Sequence, residues 1–132
     1  MTVIEKMLSA TAHIWELYNA HPFVVGIQNG TLSRDTFRFY IIQDYLYLEE
    51  YAKVFALGVA KAKSAETAQL FSKYIEVMNG ELNVHSGYMG IFGVSESEIK
   101  NCKRSLDNLS YTSYMLRVAY ETPQTTHFTG NG

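Results

Sequence analysis

Apolar residues recur along one stretch of the chain at Phe37, Ile41, Leu48, Tyr51 and Phe55, in steps of four, seven, three and four. Those steps trace one face of a helix. The rung missing from the ladder is Asp44, with Tyr40 one turn before it and Tyr47 one turn after. A buried carboxylate without a partner costs several kcal/mol or more, so Asp44 requires either a partner or a ligand. Ser33 is the expected N-cap of this helix, and the pattern persists to about Ala62. Gly58 marks a bend or a close contact with another helix.

The same period appears on both sides of this stretch. Thr2 and Glu5 have capping-box spacing. Ile4, Met7, Leu8, Thr11, Ile14, Trp15 and Tyr18 then form a stripe that predicts one helix from about Thr2 to Asn19, with His13 off the stripe and exposed. His21-Pro22 ends that helix. The short apolar run Phe23 to Ile27 predicts a buried loop or a one-turn helix, closed by Asn29-Gly30. Ser64 caps a further helix whose stripe is Phe71, Ile75, Met78, Leu82, His85 and Met89. Its period runs through Asn79-Gly80, which therefore reads as a local weakness and not as a turn. Ser95 and Glu98 repeat the capping-box spacing before a short helix, and residues 101 to 108 read as a loop. A last helix of about three turns is predicted from Ser110, with Tyr111, Tyr114, Met115 and Val118 on one face. From Thr122 the period is lost and the composition favours a disordered tail. The expected architecture is all-α, a helical bundle of three long antiparallel helices and at least two shorter ones. It forms one domain over residues 1–121, with the tail at 122–132.

Composition narrows the class. A chain of 132 residues suits one domain with a modest core. A formal net charge of −2 with 18% charged residues favours neither nucleic acid nor an anionic membrane as a partner. No segment is long and apolar enough to span a bilayer, and the N-terminus has no signal-peptide pattern. The single cysteine, Cys102, excludes an intrachain disulfide and fits a reducing compartment, so a cytoplasmic protein is expected. Ten tyrosines suit surfaces that are apolar in body and polar at the tip.

The candidate chemistry centres on Asp44. Phenols around one carboxylate (Tyr40, Tyr47 and Tyr51 on one helical row, Tyr111 from another helix) would build a small-molecule pocket with few polar anchors. A carboxylate in such a pocket can accept two parallel hydrogen bonds from a protonated ring nitrogen and the amine beside it. The alternative is an Asp that is solvated or paired with a neighbouring Lys or Arg. Glu81 and His85, four apart, favour a hydrogen-bonded pair at the core edge. A metal would need further ligands from Asp44, Glu49 or Glu50, so neither a metal nor a cofactor is expected. Cys102 lies among Lys100, Lys103 and Arg104 and reads as an incidental surface thiol.

The run His21-Pro22-Phe23-Val24, Gly26-Ile27, Gly30-Thr31-Leu32 and Phe37-x-x-Tyr40-x-x-Gln43-Asp44-x-x-Tyr47-Leu48 resembles the N-terminal half of the TenA (thiaminase II) family. Glu81-x-x-x-His85 and Ser110-Tyr111-Thr112-Ser113-Tyr114-Met115 resemble it too, at matching separations. The resemblance runs from about Trp15 to Tyr120. It implies a haem-oxygenase-like fold, homotetrameric self-association, and hydrolysis of aminopyrimidines or thiamin in thiamin salvage. It implies that Asp44 holds the pyrimidine, with Tyr47 and Tyr111 in the same pocket. The family's nucleophilic Cys follows the Tyr-Thr-Ser segment and its catalytic Glu lies near the far C-terminus. Neither region is matched here, and Cys102 precedes that segment. The chain therefore reads as apparently truncated, a binding half with no catalytic residue identified, and is expected to be inactive or impaired on its own. Two other readings are a non-enzymatic aminopyrimidine-binding or regulatory module, and a helical metal oxidase using Glu81 and His85.

Overall fold

The structure, a computed structural model, describes residues 1–123. It contains seven helices among those residues: α1 (Val3–Ala10), α2 (Ala12–Ala20), α3 (Pro22–Asn29), α4 (Arg34–Lys61), α5 (Ala65–Ile91), α6 (Glu96–Asn101) and α7 (Leu106–Glu121). None of them is long and apolar enough to cross a membrane. The tail expected from Thr122 lies, from residue 124 onward, outside the described residues.

Two compact units divide at the start of α4, Met1–Phe37 and the chain from Arg38. In the first unit, the single helix expected over Thr2–Asn19 is two. Thr11 caps the end of α1, and its hydroxyl bonds back to the Met7 carbonyl at 2.8 Å. A Thr that bonds its own helix in this way competes with the backbone ladder and loosens it. The capping box at Thr2 and Glu5 forms as the spacing predicts. The run after His21-Pro22 is longer than a one-turn helix. The His21 ring accepts from the Phe23 N–H at 3.2 Å, Pro22 takes the first helical position, and α3 continues for two turns to a left-handed Gly30 at φ 67°.

The second unit holds the rest of α4 with α5, α6 and α7. The Ser33 hydroxyl caps α4 by accepting from Thr36 N–H at 3.1 Å, and α4 then runs 28 residues, about 42 Å at 1.5 Å per residue. Ser64 caps α5, which passes through Asn79-Gly80 without a break. The two helices are antiparallel. The Arg38 guanidinium, at the start of α4, bonds Gly93 and Glu98 beyond the end of α5. At the other end Phe55 stacks on Tyr74, ring centroids 5.1 Å apart. Every residue of the predicted α5 stripe is buried or half-buried, while its neighbours along the helix are exposed.

α7 departs from expectation in three ways. It begins one turn early, because Ser105 caps it by accepting from Asn108 N–H. It reaches Glu121 and so exceeds three turns. It also packs through a face turned roughly 80° from the one expected, which shares Met115 with it. Thr112 is buried and Asn108, Met115 and Ala119 are half-buried, whereas Tyr111, Tyr114 and Val118 are exposed. The reason is polar. Gln43, only 8% exposed on α4, donates to the Lys103 carbonyl at 2.9 Å. Its Oε1 accepts from Ser105 N–H at 2.9 Å and from Asn108 Nδ2 at 3.0 Å. A buried amide has to be satisfied in this way, and satisfying it fixes the rotation of α7. At the far end Lys61 Nζ donates to the carbonyls of Ala119, Tyr120 and Thr122, meeting the negative end of the helix dipole. Since the start of α7 meets the N-terminal part of α4 and the two C-terminal ends meet, α7 runs parallel to α4.

Gly58 is a close contact and not a bend. A Cβ placed there would stand 2.6–2.8 Å from the Phe71 ring. Gly58→Ala is therefore expected to lower stability in urea or thermal unfolding by about 1–3 kcal/mol through overpacking, more than the ~1 kcal/mol of helix propensity that it gains. The same change at Gly80, where a Cβ would meet nothing within 4 Å, is expected to raise stability by about 0.5–1 kcal/mol.

Candidate functional site

Asp44 does have a partner, and it is neither Lys nor Arg. His85 of α5 places Nε2 2.6 Å from Asp44 Oδ2. The other ring nitrogen, Nδ1, lies 2.8 Å from the backbone carbonyl of Glu81, one turn earlier on the same helix. The expected Glu81–His85 side-chain pair is thus a ring-to-backbone bond, and the carboxylate His85 faces is Asp44. The pair sits at the edge of the core, with the His85 side chain 13% exposed and that of Asp44 28% exposed. Asp44 Oδ1 has no hydrogen bond among the described residues.

The α4–α5 register explains the meeting. Asp44 lies 14 residues before Gly58 on α4, and His85 lies 14 residues after Phe71 on α5. With Gly58 against Phe71 and the helices antiparallel, the two side chains fall opposite each other. Phe55 and Tyr74, each three residues from Gly58 and Phe71 on its own helix, meet in the same register.

Tyr47 stands one turn beyond Asp44 on α4. Its ring lies 5.8 Å from that of Tyr111 at 38° and 5.5 Å from that of Tyr51 at 30°. The aromatic row continues from Tyr51 to Phe55 at 4.8 Å. The Tyr47 hydroxyl donates to Met115 Sδ at 3.9 Å. Asp44, Tyr47 and Tyr111 are therefore neighbours, from α4 and α7, with His85 added from α5. The Tyr111 side is open, with Tyr111 56% exposed. Tyr40, expected on the same row, is 37% exposed.

Burial raises the Tyr47 phenol from 10.0 to about 12, with the neighbouring Tyr111 and Tyr51 phenols and the Asp44 charge adding to it. Tyr47 is thus neutral throughout the physiological range and can donate, not accept a charge.

The remaining candidates lie elsewhere. Cys102 follows α6, and its thiol lies 3.6 Å from Gln43 Nε2 and 3.5 Å from the Lys103 carbonyl. Gln43 and Asp44 are adjacent, so their side chains leave α4 about 100° apart, and Cys102 takes the side away from Asp44. Glu50 is committed to Arg104 at 2.9 Å and Lys53 at 2.7 Å. Among the described residues no three His, Cys, Asp or Glu side chains gather in a group that could hold a metal. An open groove lined by Gly58, Lys61, Ser64, Thr67, Phe71 and Ala119 lies at the α4–α5 turn, away from the dyad.

The Tyr47 shift has a direct consequence. A proton held more tightly in the folded state than in the unfolded one stabilises the fold below pH 10, and that contribution is lost as pH rises from 10.0 to about 12. Phenolate absorbance should show one late-titrating tyrosine that disappears in Tyr47→Phe, and the alkaline loss of stability should flatten in the same variant.

Residues 8–126 match the TENA/THI-4/PQQC family. The chain is 46% identical to an aminopyrimidine aminohydrolase of Helicobacter pylori over 92% of its own length and 56% of that protein's. It is 43% identical to the aminopyrimidine aminohydrolase of Halalkalibacterium halodurans over 90% of its length and 54% of that protein's. A solved TenA family transcription regulator from Silicibacter sp. TM1040 superposes with a TM-score of 0.83 at 26% identity, covering 92% of this chain and 55% of that one. The chain thus spans about half the length of the curated relatives it matches. On the match over residues 8–126 and on these identities, the chain belongs to the TENA/THI-4/PQQC family.

Proposed function

We propose that this chain binds an aminopyrimidine of thiamin salvage, with Asp44 as the anchor and Tyr47 and Tyr111 as the walls of the pocket. The observation that carries the reading is the state of the Asp44 carboxylate. His85 fixes one oxygen, and the other has no hydrogen bond among the described residues. A carboxylate oxygen accepts from more than one direction. Oδ1 and the remaining lone pair of Oδ2 can therefore face an amine beside a ring nitrogen. The two phenol rings supply flat apolar surface for a small aromatic ring. The names of the bacterial relatives, aminopyrimidine aminohydrolases, point to the same ligand class.

Recognition is half of such a hydrolysis. Displacing an amine from an aromatic ring needs a nucleophile to add and a proton donor for the departing nitrogen. Cys102, the one cysteine of the chain, is turned to Gln43 and Lys103. The chain alone therefore binds the ring without releasing its amine. Exposed apolar side chains at Leu70, Val77, Val84 and Ile91 on α5 support self-association, to be read by analytical ultracentrifugation.

Calorimetric titration with an aminopyrimidine should give saturable binding that weakens roughly 100-fold in Asp44→Asn, the equivalent of about 2.7 kcal/mol of charge-assisted hydrogen bonding. Ammonia release should stay at the uncatalysed level. Absence of binding to the wild-type chain would sink the proposal, and release of ammonia that stops in Cys102→Ser would overturn the assignment of that thiol.

A further inference from the structure

His85 is the only side chain hydrogen-bonded to Asp44 among the described residues. Its two contacts restrict where protons can be. The Glu81 carbonyl oxygen at 2.8 Å can only accept, so Nδ1 carries a hydrogen. Nε2 meets Asp44 Oδ2 at 2.6 Å. In a neutral imidazole with Nδ1–H, Nε2 is a bare acceptor. An ionised Asp44 is an acceptor too. Two bare acceptors do not sit at that distance, so one proton occupies the contact. Either the imidazolium donates to the carboxylate or the carboxylic acid donates to the imidazole. Both forms carry the same proton count and a net charge of zero.

We propose that His85 is a positioning residue that holds one proton on the Asp44–His85 contact, so that Asp44 meets its ligand as half of a net-neutral dyad and not as a lone, freely rotating carboxylate. The inference rests on Asp44 being the ligand anchor. It adds the residue that orients the anchor and the charge that the ligand encounters.

The groups placed around the pair are the Tyr47 phenol of α4, which stays neutral, and the Glu81 carbonyl of α5, with Tyr111 of α7 against the Tyr47 ring. No Lys or Arg forms an ion pair with Asp44 among the described residues.

While the proton is on the contact, Nε2 and Oδ2 attract and Asp44 is fixed. A Gln at position 85 donates an amide N–H in its place and keeps the orientation. A Leu removes the donor altogether.

The experiment has two readouts on the full chain. Nitrogen-15 spectra of the His85 ring should show Nδ1 protonated, with the second proton on or shared by Nε2. A neutral ring with Nε2–H and a bare Nδ1, or with Nδ1–H and an unprotonated contact, would overturn the proposal. The second readout is the binding of one aminopyrimidine at neutral pH. His85→Gln should bind like wild type, and His85→Leu about tenfold more weakly. A His85→Leu chain that binds like wild type, or a His85→Gln chain that binds as weakly as His85→Leu, would overturn it. If the wild-type chain binds no aminopyrimidine, the ligand assignment fails, and the nitrogen spectra still decide the proton count.

Discussion

The contact between Gly58 and Phe71 sets the register of the α4–α5 pair. A helix pair that closes to the point where a single methyl would collide with a ring has little freedom to slide. Fourteen residues away on each helix, that register delivers Asp44 to His85 at 2.6 Å. One helical turn of slip would move the pair about 5.4 Å apart and leave a carboxylate at the edge of the core with no donor. The aromatic contacts between Tyr51, Phe55, Phe71 and Tyr74 lie between the two points and pack the intervening turns.

A second constraint acts from the other side of α4. Gln43 is buried, donates to the Lys103 carbonyl before α7 and accepts three hydrogen bonds from Ser105 and Asn108, while Lys61 holds the last carbonyls of α7. These polar clamps, and not an apolar stripe, determine which face of α7 meets α4. Tyr111 reaches the edge of the Tyr47 ring because Thr112 and Asn108 are turned inward. Gln43 and Asp44 thus divide the labour between adjacent positions. One side chain fixes a helix, and the other is fixed by one.

The sequence carried much of this. The α4 ladder and the α5 stripe are visible in the spacing of apolar residues, because burial on one face imposes a 3.6-residue period on any long amphipathic helix. The caps at Thr2, Ser33, Ser64 and Ser95 are visible because few residue types satisfy the open N–H groups of a first turn. Three expectations yielded to local or polar effects that leave no period. Thr11 interrupts α1 and α2 through its own hydroxyl. His21-Pro22 starts a helix as well as ending one. α7 follows the hydrogen bonds of Asn108 and Thr112 over the tyrosine row.

By itself the sequence determined that Asp44 is anomalous and that the chain is all-α with the motifs of the TenA family, and the resemblance implied Tyr47 and Tyr111 as its companions. The first two statements need only residue identity and spacing along one helix at a time. The partner of Asp44 was decided by tertiary structure. His85 is 41 residues away, and its meeting with Asp44 depends on the register between two helices, which small residues and rings set at a distant point. The parallel direction of α7 and the inward turn of its polar face were decided in the same way, because the energy of a buried hydrogen-bond network belongs to no single segment of the chain.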